Sequence, residues 1–498
     1  MPVFAEGILP EFSPGSPEVF ISLSLLMLLG IGSFKGDAYT RSLTYLSMIA
    51  LLMTALMVLS SGTESDIFFN GAYVRNSFIT FCKITILLTV SVILFMNIRP
   101  MEREEIARFE YPVLVLLSTL GMIMTVSSND LIGMYLALEL QSFSLYILVA
   151  LKRDRLMAAE GGIKYFILGA LASAFILYGS SFLYGVTGTT EFPGLFMVVR
   201  GSASLTSSGL TAFIVGILLI LAGVAFKLAL APFHMWSPDV YEGSSTPLTA
   251  LIATAPKIAA FALLVRLFIY MPGHSGEIWE QAFVFLSLLS IALGAFAALF
   301  QSNIKRLLGY SAISHMGYAL FGLLGKTQEG VESVLVYLVL YIIMTVGCFA
   351  CLLNLRKDGK AVENLSDLSG LSRDNPVIAG MLAILLFSLA GIPPLAGFFA
   401  KLGVFSVVLK AGYYKLALFG MSVSVLSAAY YLKIVKIMYF EDSLSIDVRT
   451  RFDRAVYRET YVVMSATALI TLFYVLYPSL LVNAARTAVV ALFNPGLL

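Results

Sequence analysis

Apolar residues come in runs of about twenty along nearly the whole chain, each closed by charges or by turn-forming Gly, Pro, Asn and Ser. A hydrocarbon core about 30 Å thick needs about 20 apolar residues at 1.5 Å rise each, so every run reads as a crossing helix. The runs fall near residues 17–34, 41–61, 77–98, 109–127, 130–151, 163–186, 211–233, 246–270, 281–302, 306–325, 332–355, 376–412, 417–439 and 459–482, fourteen in all. The twelfth is too long for one straight crossing and contains Gly391, Pro393 and Pro394, while the seventh is interrupted by Pro232. Proline removes a backbone donor and its ring clashes with the preceding turn, so both are expected to be broken helices. The pattern predicts an all-α polytopic membrane protein.

Composition agrees: of 498 residues 59% are hydrophobic and 12% charged, and the mean hydropathy is +0.90. No soluble fold of this length buries that much apolar surface, which excludes soluble-enzyme and nucleic-acid-binding classes. The net charge of +2 says little; where the charges sit says more. With the N-terminus outside, nineteen basic residues fall in inner loops, among them Lys35, Arg99, Arg103, Lys152, Arg153, Arg155, Lys164, Arg306, Lys360, Arg449, Arg451, Arg454 and Arg458, against six outside. That bias places both termini on the positive side of the membrane. The first sixteen residues have no basic n-region, so no cleaved leader is expected and the first run is the first span. Cys82, Cys348 and Cys351 lie in apolar runs and read as buried core thiols; no histidine pair has metal-ligand spacing, and no metal or cofactor is expected in this chain.

Seven basic residues fall inside spans. Lys83, Arg266, Lys433 and Lys436 lie near span ends, where snorkelling accounts for them. Lys227, Lys257 and Lys401 are too deep for that. Ionisable residues at such depth mark ion or proton paths. Glu139 is equally deep, and Tyr135, Glu139, Ser142 and Tyr146 share one helical face. A carboxylate there needs a cationic partner, and Lys227 is the one expected; the alternative is a static pair that only fixes helix register. Each of Lys227 and Lys401 also sits close to a helix break, Pro232 or Pro394, where unpaired backbone must face protein or water.

The breaks suggest an internal repeat. Lys227 and Lys401 are 174 residues apart, and the same offset carries Glu139 to the neighbourhood of Ser314 and His315. Spans seven and twelve differ by an odd number, so the halves would be inverted. His315 shares a helix face with Ser311, Ser314 and Tyr318 and is either a structural hydrogen-bonding group or a relay, since histidine titrates near neutrality. His234 is expected near the inner surface and His274 in an outer, solvated loop. The Lys152–Arg155 and Glu160–Lys164 segment reads as a solvated inner loop.

The segments FKLALAPFHMWSPDVYEGSSTPLTALIATAPKIA, MYLALELQSFSLYIL, NIKRLLGYSAISHMGY and LAGIPPLAGFFAKLGVF together resemble the N-type (subunit 2) antiporter-like subunits of respiratory complex I, over about Phe109 to Phe440. Lys401 stands where the subunit 4 type has glutamate, Lys257 where the subunit 5 type has histidine, and no lateral helix is expected beyond Leu498. The resemblance implies two inverted five-helix repeats. The domains would be 1–108, three helices; 109–275, the first repeat; 276–440, the second; and 441–498, an inner loop and last helix. It implies Glu139 and Lys227 as a coupled pair, Lys257 as connecting lysine and Lys401 as terminal lysine of the second half-channel. When the pair opens, the buried ammonium loses its stabilisation and its proton passes on; a lysine can do this where an arginine cannot.

The resemblance implies a proton-translocating subunit of an NADH:ubiquinone reductase, without a redox centre of its own. Its partners would be neighbouring antiporter-like and small membrane subunits and membrane lipids. The rivals are a stand-alone cation/proton antiporter and a non-pumping scaffold. The expected location is an energy-transducing membrane, the mitochondrial inner membrane ahead of the bacterial plasma membrane.

Overall fold

The computed structural model describes residues 15–62, 66–152, 154–200, 207–269, 273–357, 359–441, 452–453 and 457–493. Arg153, Arg449, Arg451 and Arg454 and the side chain of His274 lie outside what it describes. Three helices open the chain: α1 (Ser16–Lys35), α2 (Thr40–Ser60) and α3 (Ser77–Asn97). A first set follows: α4 (Glu110–Ser127), α5 (Leu131–Val149), α6 (Leu156–Thr187), α7 (Ser207–Leu228), the short α8 (Trp236–Gly243), α9 (Thr246–Ala253) and α10 (Ala255–Ile269). The second set is α11 (Gly273–Leu299), α12 (Ile304–Phe321), α13 (Gln328–Leu353), α14 (Pro376–Ala390), α15 (Ala396–Lys410) and α16 (Tyr414–Phe440). Two more, α17 (Arg458–Phe473) and α18 (Ser479–Val490), close the chain.

All fourteen expected spans are present as helices or helix pairs. Several starts are fixed by side-chain caps, each worth about 1 kcal/mol. Asn76 accepts the Ile79 amide, Asp130 those of Ile132 and Gly133, Asn303 those of Lys305 and Arg306, and Thr327 that of Gly330. Close helix approach relies on small residues, as expected where lipid supplies no hydrophobic drive between helices. A Cβ on Gly179 of α6 would lie 2.5 Å from the Gly216 carbonyl of α7.

The breaks at Pro232 and at Pro393–Pro394 are as expected. In each five-helix set the broken helix is the fourth, α7 with α8 and α14 with α15, and because their places in the order of crossings differ by an odd number, one set is inverted against the other. After α7 the chain turns through Ala229, whose φ of 58° is left-handed. After α14 it turns through Gly391 at φ 88°. A third break was not anticipated: the eighth span is divided at Thr254 into α9 and α10. Pro256 is the cause, since its ring cannot lie over the Ile252 carbonyl. The sixth span begins seven residues earlier than expected, so Glu160 and Lys164 stand on a helix rather than in a loop. At the end of the chain Pro478 separates α17 from α18.

Two snorkelling assignments are corrected. Lys83 is buried and donates to Glu18 of α1 at 2.5 Å and to Tyr73 at 2.8 Å. Arg266 is buried and caps α4, donating to the Val126 and Ser128 carbonyls at 2.9 and 2.5 Å and to Asn129. Lys433 and Lys436 are exposed. The three cysteines are free and buried.

Candidate functional site

The three deep lysines and the histidine are all interior: Lys227 is 7% exposed, Lys257 1%, Lys401 6% and His315 4%. They form two groups.

The first group lies where α5, α6 and α7 meet. Glu139, half-buried on α5, accepts the hydroxyl of Ser173 on α6. One turn further along α5, Ser142 accepts from the Lys227 ammonium at 2.5 Å and donates to the Leu138 carbonyl at 2.5 Å. No ion pair closes between Glu139 and Lys227, although the carboxylate lies within Coulombic range of the ammonium. The Lys227 ammonium also faces the rings of Tyr146 and Phe226, each 5.9 Å from its centroid. Ser142 and Ser173 thus hold the two charges as separate, individually bonded partners.

The second group starts at the last helix of the first set and runs through the other. Lys257, at the start of α10 just beyond the Thr254 break, has no hydrogen-bond partner among the described residues. Its ammonium faces the Tyr341 ring at 5.7 Å. Tyr341 in turn lies 5.2 Å, ring to ring, from His315 on α12. His315 uses both ring nitrogens, Nδ1 with the Tyr337 hydroxyl at 2.7 Å and Nε2 with that of Tyr431 at 3.2 Å. Tyr431 also bonds Ser311. His315 then faces Tyr318 at 6.5 Å, and Tyr318 faces the Lys401 ammonium at 5.3 Å. A void of about 10 Å³, room for one water, lies against Tyr241, Ser311, Tyr341 and Thr345. Lysine, tyrosine, histidine, tyrosine and lysine therefore follow one another from α10 of the first set across the interior of the second.

The breaks feed these charges. Lys401 donates to the Ala390 carbonyl, the last of α14, at 2.8 Å and to Ser424 at 2.9 Å. Each break leaves amides unpaired, and a serine answers one of them. Ser290 accepts from the Ala231 amide and Ser388 from that of Gly397, both at 2.9 Å. An unmade bond there would cost about 1–3 kcal/mol.

Among the described residues no hydrogen-bonded chain joins Lys227 to Lys257. Sequence reasoning missed Tyr337 and Tyr341 of α13, although their spacing of four in VYLVLYII was a signal. Tyr431, Ser173 and Ser290 carry no such mark, because each acts across helices. His234 sits half-buried after the α7 break. The inner segment from Arg155 to Lys164 is more than a solvated ridge: Lys164 bonds Asp239 and Glu160, both at 2.7 Å, and Arg155 bonds Glu363 at 2.6 Å. Among the described residues no group of three or more His, Cys, Asp or Glu side chains could hold a metal ion.

Residues 128–427 match the model of the transmembrane NADH:quinone oxidoreductase/Mrp antiporter family. The NADH-quinone oxidoreductase subunit N of Parvibaculum lavamentivorans is 47% identical, covering 98% of this chain and 99% of the relative. That of Paramagnetospirillum magneticum is 44% identical over 97% and 98%. A chain of respiratory complex I from Thermus thermophilus superposes with a TM-score of 0.79 at 30% identity, covering 95% of this chain and 99% of that one. A chain of the Mrp complex from Dietzia shares the fold, with a TM-score of 0.80 at 22% identity. The subunit N relatives are bacterial, so the mitochondrial inner membrane loses its place as the favoured location.

Proposed function

The chain belongs to the transmembrane NADH:quinone oxidoreductase/Mrp antiporter family, and we propose that it translocates protons as the N-type membrane-arm subunit of a bacterial NADH:quinone oxidoreductase. In that reading it lies in the plasma membrane beside other antiporter-like and small membrane subunits, with both termini on the positive side. Its working units are the three opening helices, the two five-helix sets and the closing segment, with boundaries near residues 108, 275 and 440.

One observation carries the reading: Lys257, Tyr341, His315, Tyr318 and Lys401 are buried in succession with no gap wider than a ring contact. Glu139 and Lys227 form the switch. With the carboxylate close, the ammonium is held charged; as Glu139 turns towards Ser173 and away, that support weakens and the proton moves on. Lys257, with ring contact and no hydrogen bond, is the acceptor least committed to a fixed partner. His315 can take and give a proton between its two tyrosines. Lys401 ends the path at the second break, where backbone polar groups face the interior.

The test is NADH-driven proton uptake in sealed vesicles holding the intact complex with Lys227→Met or Glu139→Gln, alongside a native gel for assembly. Assembly with loss of both pumping and coupled quinone reduction supports the reading. Assembly with a normal proton-to-electron ratio makes the deep charges structural and the chain a scaffold.

A further inference from the structure

A groove of about 540 Å³ runs down the outside of the bundle between α3, α13 and α17, and none of the deep lysines lines it. Phe81 and Phe95 of α3 mark its length, with Ile343 and Val346 of α13 and Val462 and Ala466 of α17 opposite. Three threonines lie in its wall, and each spends its hydroxyl on its own helix. Thr85 bonds the Phe81 carbonyl, Thr89 that of Thr85 and Thr467 that of Val463, at 2.8, 2.6 and 2.8 Å. The wall is thus apolar throughout and offers a ligand no polar group.

The shape selects the occupant. From Phe81 to Phe95 the helix rises roughly 21 Å, a length that an extended acyl chain can follow along the open cleft. Its apolar wall suits an extended hydrocarbon chain.

One end of the groove is basic. Arg458, the first residue of α17, lies four before Val462, on the face of that lining residue and one turn nearer the surface, and Arg99 stands in the turn just past the end of α3, four residues beyond Phe95. Arg458 is exposed and makes no ion pair among the described residues. Arg99 is half-exposed and shares Glu459 at 3.1 Å. Arg103, also exposed, stacks on the Tyr457 ring at 5.0 Å. The other nearby carboxylates are engaged elsewhere: Glu102 with Arg41, Glu104 with Arg356 and Glu105 with Lys152. The local balance is cationic.

We propose that this groove binds an anionic phospholipid, one acyl chain along α3 and the phosphate against Arg99 and Arg458. The chain fills an apolar cleft between the opening helices and the second five-helix set, so the lipid acts as mortar between them.

The test uses the whole complex, washed in mild detergent, with bound phospholipid counted per complex by class and the groove viewed in a cryo-EM map. The wild type is expected to keep an anionic phospholipid, seen as an unbranched tube of density. Ala466→Trp, which fills the cleft from an exposed position, is expected to lose one phospholipid per complex. Arg99→Gln with Arg458→Gln is expected to keep the chain density but to lose preference for anionic over zwitterionic lipid by about five-fold per arginine. Equal lipid counts in Ala466→Trp and wild type would overturn the proposal, as would helical density from another subunit in the groove. An unchanged class preference in the arginine variant would overturn the headgroup assignment.

Discussion

Lys83 and Glu18 are a buried pair joined to Tyr73, and nothing in their positions along the chain announces it. They are 65 residues apart, and they meet because α1 and α3 both pack on α2 and α4. Removing one partner leaves the other charge buried alone, which costs about 3–5 kcal/mol. Lys83→Met should therefore lower the thermal midpoint of the solubilised complex, and Lys83→Met with Glu18→Met should recover most of the loss. A double variant as unstable as the single would show that the pair's geometry, not its charge balance, holds the helices. A second residue-level expectation concerns Tyr337. Its change to Phe keeps the ring but strips His315 Nδ1 of its hydroxyl partner at 2.7 Å. Leaving a buried polar group unpaired costs about 1–3 kcal/mol, so proton pumping should slow about ten-fold with assembly intact. Unaltered pumping would remove His315 from the path.

The broken helices set out where those side chains can act. Gly391 ends α14 at φ 88°, and a Cβ there would lie 2.9 Å from Lys401 Cδ. Gly412 has nearly the same backbone, φ 85°, but a Cβ on it would meet nothing within 4 Å. Both alanine variants carry left-handed strain of about 1–2 kcal/mol; only Gly391→Ala also pushes on the lysine. Pumping should fall in Gly391→Ala and persist in Gly412→Ala, with both complexes assembled. Equal losses would assign the effect to backbone strain. These elements also show what the sequence could and could not reveal. Hydropathy located fourteen spans, and the prolines located two breaks, because bilayer thickness and the missing proline donor act on the chain locally. The Thr254 break was within reach too, since Pro256 stood in a quoted motif. What stayed hidden was made between helices. Ser290 and Ser388 satisfy broken backbone, Ser142 accepts the Lys227 ammonium, and Arg266 caps a helix 140 residues away from its own position. No spacing rule encodes such contacts, whereas the tyrosines of α13 left a helical period that could have been read.

The two five-helix sets are tied at one surface by charge. Arg306 of α12 holds both Asp239 and Glu242 of α8, at 2.6 and 2.9 Å, while Lys164 of α6 takes the other oxygen of Asp239. Burial alone would raise the Asp239 carboxyl, but the hydrogen bonds from Lys164 and Arg306 outweigh it and hold it below the ordinary carboxylate value. A depressed carboxylate contributes stability that is complete above its unfolded value near 4 and is lost as pH falls through the folded one. The junction should thus be insensitive to pH between 6 and 8 and should loosen only in acid, whereas Asp239→Asn should loosen it at every pH, as read by protease nicking of the intervening loops. The charge asymmetry that orients the chain makes a further demand on the same surface. Because Lys152, Lys164 and Arg306 belong with the basic loops, the proposed orientation puts this junction on the negative side of the membrane. The native cysteines are buried, so single introduced thiols can report sidedness without background. Lys360→Cys, at an exposed loop position, should react with a membrane-impermeant maleimide only in inverted vesicles, and Lys410→Cys, at the opposite helix ends, only in right-side-out ones. The reverse pattern would invert the topology and move the entry side of the proton path with it.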